Sequence, residues 1–381
     1  MTPNKHKQGF STKQMKPFLS LFLLLLGLSA LAQAPPLKRW NGSINSNWNE
    51  AANWTPNGVP AVTDSVLISF VLTPLPYPIV PTGTVARIRN LRVTRYLTIQ
   101  AGATVEITAP LTSEAFYNDG YVVNHGTITV KSGLRAITNR EDIRNYGTIN
   151  QGESNASPYS FSDEGMVLEA TGSIFVNYAG AVINIKRTGN NGILMLGTND
   201  TFENYGQINI DQTGLSQIQV VASTGDGIDV QEGSFVNQAE GQINIQRSGA
   251  NAFRCKWPGS VHNRGSLVIL QPGRTQTLEF REGIQNLGSF FNYATGSITI
   301  NEASNNALFN GSNFHNYGLI DIGASGPNSI DNFGVGNFNE VGAANFTNHT
   351  GGVLRIANVK SSGIFTAGIF DGGTVTNMQG A

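Results

Sequence analysis

Short alternations of apolar and polar residues, separated by turn residues, run through most of this chain. In residues 233–245, Phe235 and Asn237 are two apart, a tight turn follows, and Ile243 and Ile245 alternate with a polar residue. Residues two apart on a strand point to the same face. The segment therefore predicts a strand, a turn and a second strand. Versions of it recur between residues 116 and 356, at a mean step of about 28 residues, which is within the range of solenoid repeats.

An asparagine occupies the same place in each copy. The residue two positions before it is always Val, Ile or Phe, which marks its face of the strand as buried. A buried amide needs hydrogen-bond partners, and identical asparagines stacked one rung above another can supply them as a ladder. The predicted ladder consists of Asn124, Asn145, Asn177, Asn204, Asn237, Asn263, Asn292, Asn316 and Asn348.

A third short strand precedes each of these pairs. Examples are residues 192–196, 227–230, 283–286 and 306–309. Three strands and three turns in about 28 residues describe one triangular rung of a solenoid. We therefore predict an all-β fold, a right-handed parallel β-helix over residues 66–381. The rungs stabilise one another, because a single rung cannot bury its inner face.

Residues 33–65 differ from the repeats in composition. They contain Trp40, Trp48 and Trp54. A solenoid needs a cover over its apolar end, and Trp side chains cover a large area. We expect an N-terminal Trp-rich cap, with an aromatic sugar-binding cluster as the alternative.

Residues 1–32 predict a secretory signal peptide. Four lysines precede an apolar core at residues 18–28, and Ala30-Leu31-Ala32 offers a small-residue cleavage site. The apolar run is shorter than a membrane span, so we expect a secreted or cell-surface protein with no span in the mature chain.

The whole chain has 24 basic and 25 acidic residues and no basic cluster, which argues against nucleic acid as a partner. The single cysteine, Cys255, excludes an internal disulfide and is expected to pack inward.

The opening Trp-x-Gly…Asn-Trp…Gly-x-Pro…Asp-x-Val-x-Ile, followed by Ala-Gly-Ala-x-Val-x-Ile and the Phe-x-Asn-x-Gly-x-Ile repeats, resembles many secreted bacterial surface proteins. These proteins are frequent in Bacteroidetes. The resemblance covers nearly all of residues 40–381 and implies a right-handed β-helix, as in autotransporter passengers and adhesins of the filamentous-haemagglutinin type. It is specific for architecture and says little about activity.

Candidate chemistry is sparse in the sequence. Polysaccharide hydrolases and lyases of this shape need clustered acids, whereas the only adjacent acids here, Glu141-Asp142 and Asp163-Glu164, are expected in solvated loops. His125 lacks the partner motifs of the hydrolases. Residues 224–229 resemble a fragment of a calcium loop but occur once, and we expect a turn with solvent-facing Asp226 and Asp229. We predict no catalytic residue, no metal site and no cofactor. A site assembled from distant residues stays an alternative.

Aromatic residues mark one outward line. The residue after the ladder asparagine is Tyr146, Tyr178, Tyr205, Tyr293 or Tyr317 in five rungs, and His125 or His349 in two more. Stacked tyrosines offer rigid faces and hydroxyls for sugar or protein binding, or else they only protect the turns. These five tyrosines are the candidate ligand-binding residues.

A second outward line lies between the strand isoleucines and comprises Thr129, Asn150, Asn184, Asn209, Asn244, Val268, Thr299, Asp321 and Arg355. Its threonines are too few for an ice-binding face.

The first functional hypothesis is a non-catalytic structural or adhesive rod whose candidate partners are glycans or surface proteins, and whose end rungs could stack head to tail. The alternative is a polysaccharide-binding or polysaccharide-cleaving solenoid.

Overall fold

The structure is a computed structural model that describes residues 36–70, 76–152, 160–213, 225–272, 282–301, 303, 306–323, 328–334, 344–357, 362–368 and 374–377. The predicted signal peptide, residues 1–32, lies outside the described residues. In the described part, no helix has the length and apolar character needed to cross a bilayer. One short 3-10 helix occurs at Ala51–Asn53.

The strands of the first half are β1 (Leu37–Trp40), β2 (Trp54–Thr55), β3 (Ser65–Ile68), β4 (Ile79–Val80), β5 (Val85–Ile88), β6 (Asn90–Val93), β7 (Tyr96–Ile99), β8 (Thr104–Thr108), β9 (Phe116–Asn118), β10 (Tyr121–Asn124), β11 (Thr127–Ser132), β12 (Ile137–Asn139), β13 (Asp142–Asn145), β14 (Thr148–Gln151), β15 (Met166–Leu168), β16 (Ile174–Asn177), β17 (Val182–Ile185) and β18 (Ile193–Met195). Those of the second half are β19 (Thr201–Asn204), β20 (Gln207–Gln212), β21 (Ile228–Val230), β22 (Ser234–Asn237), β23 (Gln242–Ser248), β24 (Phe253–Asn263), β25 (Ser266–Pro272), β26 (Ile284–Asn292), β27 (Ser297–Ile300), β28 (Leu308–Asn310), β29 (Asn313–Asn316), β30 (Leu319–Ile322), β31 (Asn328–Gly334), β32 (Asn345–Asn348), β33 (Val353–Ile356), β34 (Ser362–Gly368) and β35 (Thr374–Asn377).

The strands form three parallel ladders, which confirms the parallel β-helix. The first ladder joins β3, β6, β9, β12, β15, β18, β21, β24, β26, β28, β31 and β34. The second joins β4, β7, β10, β13, β16, β19, β22, β24, β26, β29, β32 and β35. The third joins β5, β8, β11, β14, β17, β20, β23, β25, β27, β30 and β33. Both β24 and β26 turn the corner between the first two ladders without a break, so these two ladders form one continuous sheet.

Register is held by identical inward residues. In the second ladder Phe202 pairs with Phe235 and Asn204 with Asn237. In the third, Ile208 pairs with Ile243. Inward positions alternate with outward ones along each strand, and a one-residue slip would expose the whole apolar set. The repeated Phe-x-Asn and Ile-x-Ile patterns therefore specify both the strands and their stacking.

Phenylalanine rings stack along the inside of the second ladder. Phe175 lies 4.8 Å from Phe202, and Phe202 lies 4.9 Å from Phe235, between ring centroids. The next residue in that row is Val261, which leaves room for another ring. Phe253 of the first ladder fills it and contacts Phe235 and Phe290 edge-on at 5.5 and 5.9 Å. The column of buried rings thus stays continuous where the repeat changes.

The glycine of Phe-x-Asn-x-Gly is needed for close backbone approach. A Cβ on Gly265 would overlap the carbonyl oxygen of Gly241, the glycine of the preceding coil. Gly318 stands in the same relation to Gly296. Glycine at this turn lets consecutive coils lie one strand spacing apart.

The Trp-rich segment packs on the first coil. β1 pairs antiparallel with β2 and parallel with β3. Trp54 contacts Trp40 and Trp48 edge-on, with ring centroids 5.0 and 4.7 Å apart. The three side chains are 0–2 % exposed and join the same core cluster as Val66 and Val80. This geometry confirms the cap. The alternative, a sugar-binding cluster of these tryptophans, is wrong because their rings are inside.

Candidate ligand-binding face

All nine predicted ladder asparagines lie in one continuous row of hydrogen bonds inside the second ladder. Each Nδ2 donates to the Oδ1 of the next asparagine at 2.7–2.9 Å, from Asn124 through to Asn348. The nine side chains are 0–6 % exposed. The inward position of these asparagines means that the residues on either side of each one point outward. The outer surface of the second ladder is therefore three residues wide.

We define the aromatic face as these outward residues. Its N-terminal segment consists of alternate residues in Tyr121–His125, Asp142–Tyr146, Ile174–Tyr178 and Thr201–Tyr205. Its C-terminal segment consists of alternate residues in Ser260–Arg264, Ser289–Tyr293, Asn313–Tyr317 and Asn345–His349. One coil carrying Ser234, Val236 and Gln238 separates them.

The predicted tyrosines divide between the two segments. In the N-terminal segment His125 stacks on Tyr146 at 4.8 Å, Tyr146 on Tyr178 at 4.0 Å, and Tyr178 lies 6.3 Å from Tyr205. The Tyr205 hydroxyl donates to Glu203 at 2.8 Å. Here the rings and one hydroxyl are engaged with neighbours on the same face.

The C-terminal segment carries two adjacent columns of rings. In the column after the ladder asparagine, Tyr293 and Tyr317 are 6.4 Å apart, and Tyr317 stacks on His349 at 3.9 Å. In the column before it, Phe291 stacks between His262 and His315 at 5.2 and 5.0 Å. The result is a continuous aromatic surface across four coils.

Polar contacts tie the two columns together. His262 Nδ1 lies 3.0 Å from the Tyr293 hydroxyl, and His315 Nδ1 lies 3.0 Å from His349 Nε2. Desolvation lowers the pKa of all three histidines below its usual value near 6.5, with Arg264 adding to the effect on His262 and His349 to that on His315. The three imidazoles are therefore mainly neutral at pH 7.

The sequence prediction missed the second column. His262, Phe291 and His315 occupy the central x of Phe-x-Asn, and Phe291 is a half-buried outward ring that no core packing requires. The second column could have been found from the sequence, since the residue just before each ladder asparagine lies on the same face of the strand as the residue just after it. Toward the cap, Tyr121 stacks on Tyr96 at 5.2 Å, and Tyr96 contacts Tyr77 edge-on at 5.0 Å.

The two segments differ in charge. The N-terminal segment has Arg144 paired with Asp142 at 3.0 Å and also carries Glu203. The C-terminal segment has no carboxylate among its described residues, whereas Arg264 lies over the Tyr293 ring at 4.3 Å. The N-terminal segment therefore carries two carboxylates and one guanidinium, whereas the described residues of the C-terminal segment carry one guanidinium and no carboxylate.

The outward line of the third ladder contains a second amide row. Asn184 donates to Asn150 at 2.9 Å, Asn209 to Asn184 at 2.9 Å, and Asn244 to Asn209 at 3.0 Å. Its hydrogen bonds run toward the N-terminus, opposite to those of the inner row. The outward placement was predicted, but the bonding was not.

The acids of residues 224–229 are not solvent-facing, so that prediction is wrong. Asp226 and Asp229 are 0 % exposed and Arg254 is 4 % exposed. Arg254 Nη2 lies 2.5 Å from Asp229 Oδ2, and its Nε lies 2.9 Å from Asp226 Oδ2. Asp226 Oδ1 also accepts from the backbone and side-chain nitrogens of Asn251. Burial raises the pKa of Asp226 to about 7.

Two of the other acids expected in solvated loops are also buried. Glu164 is 3 % and Asp142 is 5 % exposed, whereas their neighbours Asp163 and Glu141 reach solvent. Arg135 Nε lies 3.1 Å from Glu164 and 3.2 Å from Asp163. Burial, together with the hydrogen bond and charge of Asp163, raises the pKa of Glu164 to about 8.

Three of these residues, Arg135, Glu164 and Asp226, belong to a third regular column, at the entry to the first ladder. Each member is polar and is followed by Gly or Ala and then an apolar residue that starts or flanks the strand. The members are Glu114, Arg135, Glu164, Asn191, Asp226, Asn251, Glu282 and Asn306. Hydrogen bonds connect successive members, for example from the Asp226 amide to Asn191 and from the Glu282 amide to Asn251. The column stabilises this corner. Because its residue types are mixed, no repeat of identical residues marks it in the sequence.

Cys255 packs inward, as predicted. It is 0 % exposed, and burial raises the pKa of its thiol to about 12. Within the described ranges no group of three or more His, Cys, Asp or Glu side chains has the geometry to hold a metal ion.

Comparisons with known proteins give one partial match. A family model described as a domain of unknown function, DUF8693, matches residues 39–163. The match begins just before Trp40 and covers the Trp-rich cap with the coils up to β14. No curated protein and no solved structure matches the chain.

Proposed function

We propose that this protein is a secreted or surface-displayed β-solenoid with a structural and adhesive role, which binds its partners through the aromatic face without catalysis. The observation that carries the proposal is the continuous set of stacked rings on one outer surface. Such rings are rigid and lose little conformational entropy on binding, so they suit recognition of sugars or protein surfaces.

The location of the rings supports this role. The core already has its own stack of buried phenylalanines, so the outer rings add nothing to the interior packing. Phe291 in particular places an apolar ring on the surface between two histidines. Apolar surface held in one contiguous patch is characteristic of interaction sites. Secretion is supported by the signal pattern of residues 1–32.

Binding of the purified chain to immobilised glycans and to bacterial surfaces tests the proposal. A variant with Tyr146, Tyr205 and Tyr317 changed to Ala should bind much more weakly. The control variant changes Thr129, Val268 and Thr299 to Ala, since these residues lie half-buried on the third ladder, away from the face. Equal loss in both variants, or no loss in either, would remove the aromatic face as the adhesive surface.

Absence of catalysis is tested separately. Incubation of the chain with uronic-acid polysaccharides should release neither unsaturated nor reducing ends. Sustained release would favour the polysaccharide-cleaving alternative.

A further inference from the structure

The two segments of the aromatic face are not equivalent, and the difference indicates a ligand. The C-terminal segment combines six rings with one guanidinium. The rings are His262, Phe291, Tyr293, His315, Tyr317 and His349. We propose that this segment binds an anionic glycan, with sugar rings on the aromatic columns and carboxylate or sulfate groups beside Arg264 and the histidines. This inference rests on the proposed adhesive function and names its ligand class.

Arg264 supplies the fixed positive charge. Its guanidinium carbon Cζ lies over the Tyr293 ring, 4.3 Å from the ring centroid. No ion pair joins it to an acid within the described part of the chain, in contrast to Arg144, which pairs with Asp142, and Arg254, which pairs with two aspartates. A stacked guanidinium keeps its in-plane N–H donors available for a bidentate bond to a carboxylate or sulfate.

The rings supply the sugar contacts. Phe291 and Tyr293 lie side by side in one coil with centroids 6.1 Å apart. Matching residues recur in the next coil, His315 and Tyr317, at the strand spacing of about 4.8 Å. A pyranose ring is similar in length to that spacing. The rings stack face to face along the solenoid and present their edges outward. An extended glycan running along the solenoid can therefore lie across one pair of ring edges per coil.

The outer residues at the edge of the segment are uncharged hydrogen-bonding groups. They are Ser260, Ser289, Asn313 and Asn345. No described residue of the segment is a carboxylate, so an acidic ligand meets no repulsion there. The N-terminal segment, with Asp142 and Glu203, lacks this complementarity.

The histidines make binding pH-dependent. The titratable or charged groups that contact the three imidazoles in the described part of the chain are Arg264, Tyr293, Tyr317 and the histidines themselves. The pKa of each histidine is lowered, so all three gain charge only as the pH falls below about 6.5. A sulfated ligand keeps its charge throughout, so its affinity should rise as the pH falls.

Calorimetric titration of the purified chain with three hexasaccharides tests the inference. One is uronic-acid-based, one is sulfated and one is neutral. We expect both acidic probes to bind at least about tenfold more tightly than the neutral one, to weaken with added salt, and the sulfated probe to bind more tightly at about pH 5 than at about pH 7.5. Tighter binding of one acidic probe would identify the preferred anionic group.

The chain itself offers matched variants. Arg264→Gln copies Gln238 at the same place in the preceding coil, and His315→Thr copies Thr347 in the next. Arg264→Gln should weaken acidic binding about tenfold, and His315→Thr should reduce the rise in affinity at low pH. Arg247→Gln, which changes an exposed arginine on the third ladder away from the face and copies Gln212 in the preceding coil, should change neither. Unaltered urea midpoints would show that the variants fold.

The outcomes separate the two proposals. Equal binding of neutral and acidic probes, unaffected by Arg264→Gln, would overturn the ligand class and leave glycan adhesion intact. Adhesion to protein-coated surfaces with no glycan binding would also overturn this inference but keep the adhesive role. Absence of binding to any surface would overturn both.

Discussion

Asn204 and Asn209 lie in the same coil, and both belong to rows of hydrogen-bonded amides, yet their surroundings differ completely. Asn204 is 0 % exposed and lies between Asn177 and Asn237, at 2.8 and 2.9 Å. Asn209 lies half-buried on the outer row, between Asn184 and Asn244. Water can replace a lost partner only at the second site. The same side chain therefore has a different energetic value on the two faces of the solenoid.

This contrast predicts the effect of two matched substitutions. Asn204→Ala leaves Asn177 Nδ2 and Asn237 Oδ1 buried with a lost partner, and should lower the free energy of unfolding by about 2–4 kcal/mol. Asn209→Ala should lower it by about 0.5–1 kcal/mol. Urea unfolding followed by circular dichroism measures both. Similar losses for the two variants would contradict a special role for the inner row.

Buried acids make stability depend on pH at the residue scale. The pKa of Asp226 is raised to about 7 and that of Glu164 to about 8, above their values in an unfolded chain. The unfolded state therefore releases these protons at lower pH than the folded state does. The stabilisation is fully present below the unfolded pKa and is lost as the pH rises through the folded one. Stability should fall between about pH 5 and about pH 8.

Asp226→Asn tests the origin of that fall. Asparagine already occupies the same column at Asn191 and Asn251, so the substitution suits the corner. The variant should show a shallower loss of stability over this pH interval, measured as the urea midpoint at each pH. An unchanged slope would assign the effect to other groups.

At the scale of the strand, one element compensates for another. β24 carries Val261 where its neighbours in the second ladder carry Phe235 and Phe290, and the same strand carries Phe253 where its neighbours in the first ladder carry Ile228 and Ile284. The large side chain has moved from one ladder to the other within a single coil. The pair Phe253 and Val261 is only one methylene smaller than the Ile and Phe of the adjacent coils, and interiors tolerate substitutions best when the total volume is nearly kept.

A double-mutant cycle tests this exchange. Phe253→Ile should create a cavity and lower the free energy of unfolding by about 1–3 kcal/mol. Val261→Phe alone should overpack the core at a comparable cost. The double variant restores the pattern of the adjacent coils and should be clearly more stable than the sum of the single effects predicts. Additive losses would mean that the two side chains do not share one space.

At the scale of the strand, a structural feature could be predicted from the sequence where the same residue types recur at a fixed place in each repeat. The inner asparagine row, the upstream strands and the Trp cap were predicted because identical or similar residues recur at a fixed place. The polar column at the entry to the first ladder was missed because Glu, Arg, Asn and Asp alternate along it. Asp226 and Asp229 were placed in solvent because their partner Arg254 belongs to the next coil, and only the stacking register brings the three together. The cationic character of the C-terminal segment likewise depends on which coils are adjacent.

At the scale of the whole molecule, the stacked architecture leads us to expect that a coil can be deleted only as one complete repeat. Val182 and Gln207 begin consecutive strands of the third ladder and pair in register. Deletion of residues 182–206 joins Ala181 to Gln207, so that Phe175 meets Phe235 and Asn177 meets Asn237 in the shortened second ladder. Each coil contacts mainly its two neighbours, so these new pairs can replace the old ones.

The shortened chain should therefore fold, with a β-rich circular dichroism spectrum and cooperative unfolding at a somewhat lower urea midpoint. Deletion of one residue more, 182–207, is the control. It shifts the third-ladder strand by one position and directs Ile208 and Ile210 outward. That chain should lose cooperative unfolding or aggregate. If both deletions behaved alike, register would not be set by the inward residues, and the repeat would be acting only through composition.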